Sequence, residues 1–233
     1  MFLLLAFYEG SLVKLKGCDI PSIFIKEEEY KIIPLGIHSF LCQGVEKKVK
    51  KRVTQIGRVF VSQQFLNLNK ETLERIEKEK ILLGSVYKDP GKVFFKKTVD
   101  PLNTMTVVSP FGKEREYGEN KKNFLPFFKS MHTGVDLRAS EQTRVHSIGK
   151  GKVVFTGDLF YTGNTVIISH GYEIFSVYAH LKTIQVKQQQ EVYAKSFLGF
   201  AGKTGRVSGP HLHLAIKVKG FWIDPLEFLK TFK

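Results

Sequence analysis

Between Gly149 and Gly220 the chain is cut into short apolar runs by Gly151, Gly157, Gly163, Gly171, Gly202, Gly205 and Gly209. Runs of this length bounded by turn residues suit strands rather than helices. Candidate strands are Lys152–Thr156, Asn164–Ser169, Glu173–His180, His211–Val218 and Phe221–Ile223, with Val107–Ser109 before them. Ser22–Ile25, Lys31–Ile37 and Gln55–Val61 read the same way in the first half. One segment breaks the pattern. Asn69 to Lys80 carries good helix formers, with Asn69 placed as an N-cap, Glu71 in the first turn, and Leu73 and Ile76 on one face. The fold class expected is mainly β, with a short helix linking two β-rich regions. Asp89-Pro90-Gly91 and Asp100-Pro101 are linker signals. They divide the chain into a leading segment (1–7), a β-rich first domain that ends in the helix (8–98) and a second domain (99–233).

Composition narrows the function. With 42% hydrophobic and 25% charged residues the chain is not wholly disordered, and no apolar run approaches the ~20 residues of a membrane-spanning helix. The net charge is +14. Each side of Thr98 holds 18 basic and 11 acidic residues, so there is no separate basic arm. Such a field favours anionic partners. The densest cluster, Lys47, Lys48, Lys50, Lys51 and Arg52, reads as a solvated turn between strands. It has no interleaved aromatics and no recognition motif accompanies it, so no nucleic-acid partner is expected. Cys18 and Cys42 either pair or remain buried thiols, and their spacing is not that of a redox or metal motif. Met1–Phe7 is apolar but short. It reads as the tail of an export signal, which allows a peripheral or signal-anchor association with an inner membrane, or as a first strand.

Six of the seven histidines, His132, His146, His170, His180, His211 and His213, lie in the second half. In Pro210-His211-Leu212-His213-Leu214, strand alternation puts both imidazoles on one face and both leucines on the other. His132-Thr-Gly-Val-Asp136 suits an extended or bulged strand start, because Gly134 and Val135 disfavour a helix. Its His and Asp either share a cation or hydrogen-bond at a turn. Tyr178 and His180 share a face of their strand, with Tyr178 lining a cleft or packing in the core. Taken together, His132, Asp136 and His213 supply three ligands, the number a catalytic zinc takes. His180 and His211 remain for proton transfer and oxyanion stabilisation. His170, beside Gly171, reads as structural; His38 and His146 match no motif.

The chain resembles the LytM/lysostaphin-type zinc metallopeptidases (metallopeptidase family 23). The stretches that carry the resemblance are Ser109-Pro-Phe-Gly112, His132-Thr-Gly-Val-Asp136, Gly163-Asn-Thr-Val-Ile-Ile-Ser-His-Gly171, Phe175-Ser-Val-Tyr-Ala-His-Leu181, Gly202-Lys-Thr-Gly-Arg-Val-Ser-Gly-Pro-His-Leu-His213 and Trp222-Ile-Asp-Pro-Leu226. They occur in family order. The resemblance implies a LytM-like antiparallel β-sheet domain with Zn2+ on His132, Asp136 and His213, and with His180 and His211 as catalytic histidines. It implies cleavage of peptidoglycan stem peptides or cross-links in the bacterial envelope, in the periplasm, by endopeptidase or carboxypeptidase action. A non-catalytic regulator that activates other wall hydrolases is the alternative. The sequence departs from the family at Ala139-Ser-Glu-Gln-Thr143 and at Glu173, neither of which is a ligand position.

Overall fold

The computed structural model describes residues 7–25, 28–35, 37–51, 55–88, 97–119, 126 and 128–233. The first half contributes β1 (Phe7–Tyr8), β2 (Leu12–Val13), β3 (Ser22–Ile25), β4 (Glu28–Ile32), β5 (Ser39–Cys42), β6 (Val45–Lys50) and β7 (Gly57–Phe60), followed by helix α1 (Lys70–Val86). The second half contributes β8 (Val107–Ser109), β9 (Glu114–Gly118), β10 (Phe128–Met131), β11 (Val135–Arg138), β12 (Arg144–His146), β13 (Gly151–Leu159) and β14 (Gly163–Ser169). It continues with β15 (Ile174–Ile184), β16 (Glu191–Val192), β17 (Phe197–Ala201), β18 (His211–Val218), β19 (Phe221–Ile223) and helix α2 (Pro225–Thr231). The mainly β class is as expected.

A ten-stranded antiparallel sheet runs β16-β13-β14-β15-β18-β11-β8, with β17 on β15 and β12, and β19 on β18. One face packs on the main core, where Leu137, Tyr178, Leu212, Leu214, Ile216 and Phe228 are fully buried. α2 closes that core. Asp224 caps it by accepting the Leu226 amide at 2.8 Å, and Pro225 occupies its first turn. First-half residues join the same core: Tyr30 lies 5.4 Å from Phe232, ring to ring, and the Asp224 amide donates to the Gly10 carbonyl at 2.9 Å. The other face carries His211 and His213 and, farther along, α1. There Leu83, Val86 and Tyr87 cover Phe155, Ile167, Phe175, Val177 and Ala215. Asn69 caps α1 as expected, accepting the Thr72 amide at 2.8 Å. Glu79 fastens the helix to the sheet by accepting the Phe160 amide at 2.9 Å.

Several expectations need correction. The strand placed at Lys31–Ile37 is Glu28–Ile32; Pro34 has no amide to donate to a continued ladder. α1 runs on to Val86, since Leu83 and Val86 continue its apolar face and no proline intervenes. Lys47, Lys48 and Lys50 lie on β6, not in a turn; Lys48 and Lys50 point outward on either side of Val49, which packs inward on the same face as Lys47. Cys18 and Cys42 form a disulfide. Residues 1–6, Arg52, Asp89, Pro90 and Gly91 lie outside the described residues, so the export-signal and linker readings are not addressed there. Among the described residues no helix is long and apolar enough to cross a membrane.

His170 is structural, as its turn context suggests. It is fully buried, donates from Nδ1 to the Lys150 carbonyl at 2.7 Å and meets the Ser176 hydroxyl through Nε2 at 2.7 Å. Burial pushes its pKa down to about 4 from an ordinary 6.5. The unfolded chain therefore takes up a proton between those values that the folded chain refuses, and stability falls as pH drops from about 6.5 to 4. The loss expected from this residue is about 3 kcal/mol. Urea titrations of wild type and His170→Gln across that range check it: the wild-type curve should be steeper, and equal slopes would contradict it.

Candidate metal centre

β11 and β18 pair antiparallel with Asp136 directly opposite His213, so backbone register alone brings two of the three expected ligands together on one face. His132 enters from the turn after β10. The resulting donors are close: Asp136 Oδ1 lies 2.9 Å from His213 Nδ1 and 3.1 Å from His132 Nε2, and the two nitrogens are 3.1 Å apart. Donors held at ~2.0–2.1 Å around a tetrahedral ion lie ~3.3 Å from one another. The three atoms therefore fit as ligands of one cation, and their imidazole–imidazole–carboxylate chemistry suits zinc.

The surroundings orient the set. His132 donates from Nδ1 to the Pro110 carbonyl at 2.8 Å, which leaves the Nε2 lone pair for a metal. Burial pushes His132 down to about 4, so its imidazole is neutral near neutrality. Burial alone would raise the Asp136 carboxyl, but its interactions with the adjoining His132 and His213 rings outweigh it and hold the group ionised, well below the usual carboxylate range. The Arg115 guanidinium bonds the second oxygen of Asp136 and reaches Ser109 Oγ at 2.8 Å. Arg115 was not among the residues singled out from sequence. Nor were the Pro110 and Thr204 carbonyls, although both lie inside the quoted motifs.

His180 and His211 stand beside the three candidate ligands, their rings 4.8 Å apart. Each is fixed in one tautomer. His180 donates from Nδ1 to the Thr204 carbonyl at 2.8 Å, and His211 from Nδ1 to the Gly209 carbonyl at 2.8 Å. Burial holds both pKa values below the ordinary histidine range. Both Nε2 atoms therefore carry lone pairs that can accept protons. His211, Leu212, His213 and Leu214 alternate as expected. The expectation that Tyr178 and His180 share a face is overturned. Tyr178 is wholly inside the core, accepting the Ile148 amide at 2.9 Å. His180 has φ 61°, and this left-handed residue breaks the alternation of β15, turning its imidazole to the opposite face.

Gly134 shows how tightly the centre is built. A Cβ there would lie 2.5 Å from the Leu214 carbonyl oxygen and 2.6 Å from His213 Cε1. Gly134→Ala should displace His213, weaken metal binding by about 10- to 100-fold with all ligands intact, and cost ~1–3 kcal/mol of stability. Chelator competition and thermal unfolding measure both; unchanged affinity would mean that the turn has room to move.

Residues 130–225 match the model of peptidase family M23. Over that segment the chain is similar to peptidase family M23. The matched segment holds all five residues singled out above. Over 96 residues the chain is 43% identical to the peptidoglycan DD-endopeptidase ShyA of Vibrio cholerae, a match covering 41% of this chain and 22% of that protein. Over 97 residues it is 37% identical to the murein hydrolase activator NlpD of Escherichia coli, covering 41% of this chain and 25% of that one. The match thus spans about a quarter of each relative's length. A crystal structure from Pseudomonas aeruginosa assigned to peptidase M23 superposes with a TM-score of 0.63 over 94% of this chain and 87% of that one, at 24% identity. That likeness extends the shared fold beyond the M23 segment into the first half.

Proposed function

We propose that the protein is a zinc metallopeptidase that hydrolyses amide bonds in peptidoglycan stem peptides or cross-links, with endopeptidase action foremost. The observation that carries this reading is the convergence of His132 Nε2, Asp136 Oδ1 and His213 Nδ1 beside two tautomer-fixed, neutral imidazoles. His132, Asp136 and His213 are the proposed ligands. Zinc held by them supplies a Lewis acid that polarises the scissile carbonyl and lowers the pKa of water to ~7. The Pro110 carbonyl keeps His132 in the tautomer that coordinates, and Arg115 keeps Asp136 aimed. His180 and His211 share the remaining work: a neutral Nε2 accepts the proton of the attacking water, and the imidazolium so formed protonates the leaving amine or steadies the developing oxyanion. The net charge of +14 suits a carboxylate-bearing wall polymer in the bacterial envelope, in the periplasm where an inner membrane and an export signal are involved. Residues 99–233 are the proposed catalytic unit and 8–98 a unit that serves it.

The likeness to NlpD supports a second reading, a regulator that binds and activates other hydrolases. The two part in one experiment. Purified peptidoglycan is incubated with zinc-loaded full chain and with His211→Ala, and the products are identified by mass spectrometry. Conversion of cross-linked dimers to monomers by the unsubstituted protein alone is expected. Loss of terminal residues instead would make the activity a carboxypeptidase. Unchanged peptidoglycan with zinc bound would overturn the enzyme reading in favour of the regulator.

A further inference from the structure

The cavity beside the proposed metal ligands, about 250 Å³, is lined by four cationic side chains, Arg58, Lys113, Arg115 and Arg206, and by one acid, Asp136. Arg115 is bonded to that acid, and Asp136 is a proposed ligand. Arg206 differs. Its guanidinium carbon lies 4.2 Å from the ring centre of Tyr117, 4.3 Å from that of Tyr161 and 5.0 Å from that of Phe128. Tyr117 and Phe128 are themselves stacked at 4.6 Å. The Tyr117 side chain also offers the guanidinium a hydrogen-bond acceptor, but aromatic faces do not accept the remaining N–H groups in its plane. Among the described residues no carboxylate pairs with it.

A half-buried cation that lacks an acid is costly to hold, and burial pushes its pKa down. The backbone nevertheless holds it firmly. The Arg206 amide donates to the Tyr161 carbonyl at 2.8 Å. The preceding Gly205, at φ 73°, lies so close to the 161–163 turn that a Cβ would come within 2.4 Å of the Gly163 nitrogen. Arg206 also borders the neighbouring cavity of about 240 Å³, which reaches His132, His180 and His213. It therefore stands at the junction of two cavities that adjoin the proposed reacting centre.

We propose that Arg206 is the carboxylate receptor of this cleft: the ring cage presents its planar fork to a carboxylate on a peptide whose neighbouring amide lies at the His132–Asp136–His213 site. The substrate class is thereby narrowed to acidic peptides with a free carboxylate close to the bond cut. This rests on the peptidase reading for its substrate, but its chemistry is testable without turnover. A pre-positioned guanidinium selects a carboxylate over the neutral amide of the same shape, because the amide offers neither the charge nor two equivalent acceptors.

The test is equilibrium binding by calorimetry. The full chain is stripped of metal by chelation, so that a carboxylate meets only protein groups. The probes are a synthetic stem tetrapeptide with free carboxylates and the same peptide with those groups amidated. Wild type should bind the acid form about 10- to 100-fold more tightly. Arg206→Met should remove that preference while leaving amide binding within a few-fold. Arg206→Lys, which keeps a cation in the cage, should retain part of it; should Arg206→Met fail to fold, a drop in acid binding in Arg206→Lys with amide binding unchanged is the supporting result. Equal binding of the two peptides by wild type, or a preference that survives undiminished in Arg206→Met or, should that variant not fold, in Arg206→Lys, overturns the proposal. Protein that discriminates but does not cleave refutes the peptidase reading alone; protein that cleaves but does not discriminate refutes the Arg206 assignment alone.

Discussion

Full-chain protein carrying His132→Ala is expected to lose tight zinc binding and to fall by more than about 10³-fold in hydrolysis. Removing a residue that merely orients a ligand costs about 10- to 100-fold in metal affinity or activity. Removing a ligand must cost more, because only Asp136 and His213 remain, whereas a catalytic zinc takes three protein donors. The change also orphans the Pro110 carbonyl, which His132 Nδ1 satisfies at 2.8 Å. That should lower metal-free stability by ~1–3 kcal/mol, a loss a domain of this size survives. Zinc titration against a competing chelator, with circular dichroism to establish folding, separates the two effects. Wild-type zinc affinity in folded His132→Ala would remove His132 from the centre.

His180→Ala should behave differently, with zinc affinity within a few-fold of wild type and kcat lowered by about 10²- to 10⁴-fold. The imidazole stands next to the three donor atoms without joining them, its ring 5.8 Å from that of His213 and 4.8 Å from that of His211. Its backbone supplies a second readout. At φ 61° a residue with a Cβ costs ~1–2 kcal/mol that glycine does not. His180→Gly should therefore be the more stable of the two variants by about 1 kcal/mol and be equally inactive. Thermal unfolding and steady-state kinetics of the pair test both halves. Loss of zinc together with activity would make His180 a ligand, and wild-type kcat would exclude it from proton transfer.

The parts of the site that follow from local pattern were legible in the sequence. The His211–Leu214 alternation is a period-2 pattern behind a glycine-rich loop, and the structure keeps it. Asp136 and His213 were paired by motif, and the antiparallel register of β11 on β18 supplies the physical reason. The turn of β15 at His180 was not legible, because a histidine in a left-handed conformation carries no marker comparable to glycine. Arg115 was missed for a different reason. Its strand β9 pairs parallel with β7 more than fifty residues earlier, and no local pattern announces such a contact. The Cys18–Cys42 bond was one of two open readings for the same cause: bridging depends on a long-range distance. α2 was readable, since Asp224-Pro225 is a cap followed by a first-turn proline, but at seven residues it shows too little periodicity to stand out.

Zinc K-edge X-ray absorption on the zinc-loaded full chain tests the central claim most directly. His132, Asp136 and His213 as ligands predict one zinc per chain with two imidazole scatterers, a carboxylate oxygen and no sulfur, and a spectrum unchanged in His180→Ala. Sulfur in the first coordination sphere, or an imidazole lost in His180→Ala and retained in His132→Ala, would contradict the account.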